Sequence, residues 1–167
     1  RGHRGAIRVC SETGRGTTVR VFFPASTGTP GGKAAEAVPR PVAAPSTVLV
    51  IDDEVAVRDF ARAVLEHHGY EVLEANEGAE GLHVFAAHSK RIGLVLLDLT
   101  MPGLDGEETF HELRLIAPKL PVILSSGYNE QQATSRFVGL GLAGFLRKPY
   151  RAEHLVEMVK AELVRPR

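Results

Sequence analysis

Asp52, Asp53, Asp98 and Lys148, with the hydroxyls of Ser125 and Ser126, are the residues of this sequence whose types could work as one site. Three carboxylates crowded together repel, which raises at least one pKa unless a cation neutralises them. The natural occupant of such a cluster is a hard divalent ion such as Mg²⁺, which takes oxygen ligands and keeps water positions open for a phosphate. Lys148 adds a point charge suited to a phosphoryl oxygen. Handling of a phosphoryl group is the chemistry this set predicts.

The residues are far apart in sequence, so the fold must bring them together. Five strand-length apolar runs precede them: VLVI (48–51), YEVLEA (70–75), IGLVLL (92–97), PVIL (121–124) and AGFL (143–146). Helical patterns lie between the runs. Val57, Phe60, Ala61, Val64 and Leu65 recur at helical spacing before a stop at Gly69. Asn76 is the expected N-cap of a helix through Leu82 and Phe85, and Leu155, Met158, Val159 and Leu163 form a last helical stripe. Continuous apolar strands separated by helices predict a parallel sheet covered on both faces. The expected fold class is α/β, a flavodoxin-like doubly wound (βα)5 domain with strand order 2-1-3-4-5. Sites in such sheets form beyond the carboxyl ends of the strands. The first strand ends in Asp52-Asp53-Glu54, the third in Asp98, the fourth in Ser125-Ser126, and the fifth closely precedes Lys148. Any one polar strand end is ordinary; the concurrence of four is what predicts a site.

VLVIDDE (48–54), LVLLDLTMPGLDG (94–106), PVILSSGY (121–128) and FLRKP (145–149) resemble, in order and spacing, the receiver domain of two-component response regulators. The resemblance covers residues 47–165. It implies Asp98 as phospho-acceptor, taking its phosphoryl group from a phosphohistidine donor domain of a histidine kinase. It implies Mg²⁺ held by Asp53, Asp98 and the backbone carbonyl of Thr100, with Asp52 acting through water. Lys148 would pair first with Asp98 and then with the phosphoryl oxygens. Ser126 matches the switch hydroxyl and Phe145 the aromatic switch position, expected to turn inward on phosphorylation. The responding surface would be a helix from about Asn129 to Val138, the fifth strand and the last helix. A cis bond is expected at Lys148-Pro149.

The formal net charge is zero, yet it hides a split: residues 47–167 hold 13 basic and 18 acidic side chains, while residues 1–24 hold five arginines and Glu12. Residues 25–46 are rich in Ala, Gly and Pro and read as a flexible linker. In residues 1–24 apolar residues alternate on either side of Thr13-Gly14-Arg15-Gly16, which predicts a β-hairpin. GHRGAIRVCSETGRGTTVRVFFP (2–24) resembles the last two strands of a histidine-kinase ATP-binding domain, with Gly14, Gly16 and Thr17 near the far end of the nucleotide pocket. The expected organisation is therefore a kinase remnant (1–24), a linker (25–46) and a receiver domain (47–167). The sequence begins with Arg1, and the expectation is the C-terminal part of a hybrid sensor histidine kinase. It shows no phospho-accepting histidine helix, asparagine-bearing metal helix or ATP lid, so these residues alone are not expected to act as a kinase. A histidine phosphotransfer protein is a further expected partner, the location expected is cytoplasmic, and a membrane enters only through the parent protein.

Several weaker signals are discounted. Gly139 to Gly144 fits G-x-G-x-x-G but opens a strand instead of a helix, so dinucleotide binding is not expected. The seven histidines lack metal-ligand spacing, Cys10 reads as a small packing residue, and the head arginines lack the aromatic pattern of nucleic-acid binding. Two other readings stay open. A Mg²⁺-dependent phosphatase on a similar sheet would often carry an acid two residues after its nucleophile, where Thr100 stands. A degenerate receiver serving only as a binding module is opposed by the intact acid set.

Overall fold

The computed structural model describes residues 6–12, 14, 16–22, 47–127, 137 and 139–165. The expected linker (25–46) and the expected helix from Asn129 to Val138 lie outside them, apart from Phe137. The chain divides into two compact units, Arg1–Ala37 and Val38–Arg167.

In the first unit, β1 (Ala6–Glu12) pairs antiparallel with β2 (Gly16–Phe22). Gly14 in the connection and Gly16 at the start of β2 take positive φ values, as a tight reversal demands. The register sets Val9 against Val19 and Ile7 against Val21, and Ser11 and Thr17 join their hydroxyls at 2.9 Å. Cys10 is exposed and not a packing residue, because two paired strands cover neither face: Val9 and Val19 on the other side are exposed as well.

The second unit is a five-stranded parallel sheet. Its elements are β3 (Thr47–Ile51), α1 (Val55–His67), β4 (Glu71–Ala75), α2 (Gly78–His88), β5 (Ile92–Asp98), α3 (Gly106–Ile116), β6 (Val122–Ser126), β7 (Gly144–Arg147) and α4 (Ala152–Val164). The strands stand in the order β4-β3-β5-β6-β7, which is the doubly wound order 2-1-3-4-5. Every residue of β3, β5 and β6 is buried, as their continuous apolar runs require.

Alternation along these strands feeds two cores. Leu49, Ile51, Val95, Leu97, Val122 and Leu124 pack with Phe85, Phe110 and Leu113 from α2 and α3. Val48, Val50, Leu94, Leu96 and Ile123 pack with Ala61, Leu65, Leu155, Val159 and Leu163 from α1 and α4. Covered on both faces, the sheet leaves its carboxyl edge as the place where polar side chains collect.

Helix ends follow local chemistry. Gly69, with φ of +83°, ends α1 where the sequence places its stop. Asp105 caps α3 in a reciprocal capping box with Glu108. The N-cap of α2 is Glu77, not Asn76. Asn76 stands one residue earlier, where its backbone N–H donates to the Glu80 carboxylate at 2.7 Å.

Candidate functional site

Parallel pairing brings the strand ends to one level. Ile51 of β3 lies opposite Leu97 of β5, and Asp98 lies opposite Ser125 of β6. The residues just past these positions, Asp52 and Asp53, therefore stand beside Asp98. Single carboxylate oxygens of Asp52, Asp53 and Asp98 lie within 4.8 Å of one another. Asp52 and Asp98 are 2% and 3% exposed, whereas Asp53 is open to solvent.

Lys148 joins the two buried acids from the end of β7. Its Nζ lies 2.8 Å from Asp52 Oδ2 and 3.0 Å from Asp98 Oδ2. Its backbone N–H donates to the Ser126 carbonyl at 2.8 Å, which fixes the chain before the cis Lys148-Pro149 bond. The Glu54 N–H donates to Asp52 Oδ1 at 3.0 Å and orients that carboxylate.

Burial pushes the Asp52 and Asp98 carboxyls above their ordinary range, while the Lys148 hydrogen bond and charge pull them back. Each has a further acid working against it, Glu54 for Asp52 and Asp52 for Asp98. Burial alone would lower the Lys148 pKa, but the bonds from Asp52 and Asp98 outweigh it and raise it. The site is thus one firmly charged ammonium among acids whose negative charge it only partly offsets. Three oxygen donors so placed fit a hard divalent ion such as Mg²⁺.

A cleft of about 870 Å³ opens over this cluster. Asp53, Glu54, Asp98, Thr100 and Lys148 form its polar end, and Val57, Phe60, Pro149 and Tyr150 its apolar wall. The Thr100 backbone hydrogen-bonds to the Asp98 carboxylate and helps hold down its pKa. Ser126 is fully buried at the end of β6, directly before Gly127 on the cleft wall.

Phe145 is 7% exposed and sits in the core that holds Phe110 and Phe137. The ring expected to turn inward on phosphorylation is inward in this structure, because β7 places it on the side of the sheet covered by α3.

The structure adds groups the sequence reading did not assign. Glu54 reaches Lys148 at 3.3 Å, and its place in the acidic triplet 52–54 was the available signal. Tyr150 packs its ring 6.0 Å from Phe60, and its buried hydroxyl has no hydrogen-bond partner among the described residues. Burial and the Asp52 charge push that phenol up to about 12. Nothing in the residues around Tyr150 signalled this from sequence.

Known proteins match this chain in sequence and in fold. The family model for the response regulator receiver domain matches residues 48–160. A sensor kinase of Brucella abortus, CckA, is 33% identical over 172 residues, covering 95% of this chain and 18% of that protein. The response regulator MprA of Mycolicibacterium vanbaalenii is 37% identical over 123 residues, covering 72% of this chain and 52% of that one. The chain therefore spans under a fifth of the first relative and about half of the second. Among solved structures, a response regulator receiver domain protein from Clostridium thermocellum superposes with a TM-score of 0.67 at 31% identity, over 71% of this chain and 94% of that one. The receiver domain of NtrX from Brucella abortus gives a TM-score of 0.64 at 30% identity, over 70% of this chain and 97% of that one. This chain belongs to the response regulator receiver domain family of two-component signalling.

Proposed function

We propose that this chain accepts a phosphoryl group on Asp98 from a phosphohistidine of a histidine kinase and changes conformation in response. The observation that carries the reading is Lys148, held at 2.8 and 3.0 Å between two buried carboxylates at the mouth of an open cleft. In the transfer, an Asp98 carboxylate oxygen bonds to phosphorus as the P–N bond of the donor breaks, and the bonding pair leaves with the imidazole nitrogen. Negative charge then spreads over the phosphoryl oxygens, where a positioned cation is worth most. Lys148 supplies one such charge.

Asp53, Asp98 and the Thr100 carbonyl, with Asp52 through water, would hold Mg²⁺. The ion would supply further neutralisation of the phosphoryl oxygens. Ser126 and Phe145 are the switch residues of this reading, and their burial on neighbouring strands supports it, Ser126 at the end of β6 and Phe145 opposite Leu124 two residues earlier. With Phe145 already inward, the phosphoryl group would stabilise an arrangement the chain reaches without it, a shift of population.

The reading extends to the organisation of the chain: residues 1–24 as a kinase remnant, 25–46 as a linker and 47–167 as the receiver, within a hybrid sensor histidine kinase. Support comes from the sensor kinase whose match runs beyond the receiver domain to 95% of this chain. A histidine phosphotransfer protein is then a further partner, and the location is cytoplasmic.

The test is phosphotransfer from a labelled phosphohistidine domain to the full chain. Wild type should take up label only when Mg²⁺ is present, and Asp98→Asn should take up none. Equal labelling of the variant would overturn the assignment.

A further inference from the structure

A lysine ammonium carries three N–H bonds, and three carboxylates take those of Lys148. Asp52 Oδ2 lies at 2.8 Å, Asp98 Oδ2 at 3.0 Å and Glu54 Oε1 at 3.3 Å. The three contacts are unequal. Asp52 and Asp98 are buried, and withdrawing Lys148 from either would leave a buried charge unpaired, which is costly. The Glu54 side chain is 62% exposed and makes the longest of the contacts, so water replaces Lys148 there at little cost.

Glu54 is also placed at the entrance. With Asp98 and Lys148 it lines the cleft, while Asp52 lies outside the lining. It stands at the N-cap of α1, yet its side chain makes no capping hydrogen bond. Its backbone does the local work, accepting from the N–H groups of Val57 and Arg58 and donating to Asp52. The carboxylate is thus spared for Lys148.

We propose that Glu54 is a displaceable counter-ion, holding in the unphosphorylated chain the Lys148 N–H that a phosphoryl oxygen takes when Asp98 is occupied. The inference rests on Asp98 being the phospho-acceptor. Glu54 acts through Lys148 and is a positioning residue. It lets Lys148 change partners without stranding a buried acid. The same competition weakens the hold of the site on phosphate-like anions, so Glu54 sets how readily the site fills.

The test uses the full chain as wild type, Glu54→Gln and Glu54→Asp, titrated with beryllofluoride at saturating Mg²⁺ and followed by NMR. Glu54→Gln should bind the anion about two- to fivefold more tightly, the range expected for loss of one exposed ion pair. Glu54→Asp keeps the charge but is one methylene shorter, so it should shift in the same direction. Tighter binding by the Gln variant with wild-type binding by the Asp variant would mean charge alone is at work and would overturn the tether. A second readout needs no metal: the Lys148 ammonium protons should exchange with water faster in both variants. Unchanged exchange overturns the inference. If wild type binds beryllofluoride at Asp98 and the variants match it, the role of Glu54 fails alone. If wild type takes up none, the phospho-acceptor reading fails and this inference with it.

Discussion

A Cβ at residue 106 would lie 2.2 Å from the Asp98 carbonyl oxygen, so Gly106 lets α3 begin directly against the backbone of the central acid. The Gly106 N–H also donates to the Leu99 carbonyl at 3.2 Å. Gly106→Ala must push the helix away from the end of β5. The expected cost is about 1–3 kcal/mol, as for other overpacked sites, seen as a lower urea midpoint with an unchanged slope. Gly127→Ala is the control, since a Cβ there meets nothing within 4 Å among the described residues, and its stability should stay within about 0.5 kcal/mol of wild type.

Metal binding should separate Asp53 from the buried acids. Added Mg²⁺ should raise the thermal midpoint of the wild-type chain, because a ligand that binds the folded state stabilises it by mass action. Asp53→Asn should lose most of that rise while changing metal-free stability by no more than about 0.5 kcal/mol, since the side chain is exposed. Scanning calorimetry with and without chelator reads both quantities.

The acids also fix a pH dependence. The folded-state pKa values of Asp52 and Asp98 lie above their unfolded values, so ionising them opposes folding. The stability tied to their protonated forms is fully present below the unfolded carboxyl pKa and is lost as pH rises through the raised folded values. Asp98→Asn should therefore be more stable than wild type at neutral pH, with the gain shrinking as pH falls. Lys148 follows the same sign in a higher pH range. Its raised pKa contributes stability below the ordinary lysine range that disappears as pH rises through the folded value. Lys148→Met should cost about 3 kcal/mol near neutrality, because it leaves buried acids unpaired, and less in acid once they are protonated. Urea titrations across the pH range read all of these.

Arg114 carries a separate structural load. Its guanidinium donates to the carbonyls of Leu120 at 2.7 Å, Gly141 at 2.9 Å and Leu140 at 3.0 Å. It also lies 4.4 Å from the centre of the Phe110 ring. One side chain of α3 thereby fixes the turn that leads into β7. Arg114→Ala should cost about 2–4 kcal/mol, the scale for losing hydrogen bonds made by a charged group. Hydrogen exchange should quicken over residues 139–147 before the rest of the sheet.

The sheet was legible because its strands are buried on both faces and so are apolar without interruption, from Val48–Ile51 to Ile92–Leu97. The acids were legible because parallel order puts Asp52 and Asp98 at neighbouring strand ends. The shift of the α2 cap from Asn76 to Glu77 was not, since both residue types suit a helix start and Glu80 decides between them by bonding the Asn76 N–H. Arg114 in a helix reads as a solvated cation, and its partners are backbone carbonyls that no side-chain pattern reveals. The inward ring of Phe145 depends on which way β7 faces, and its short run AGFL does not specify that.

The most direct test of the phospho-acceptor reading is the location of the phosphoryl group itself. The full chain would be incubated with acetyl phosphate and Mg²⁺, reduced with borohydride to trap any acyl phosphate, and mapped by peptide mass spectrometry. One reduced site is expected, at Asp98, absent from Asp98→Asn and from samples treated with chelator. A modification at Asp52 or Asp53 in its place, or none at Asp98 under conditions where the chain is folded, would contradict the account.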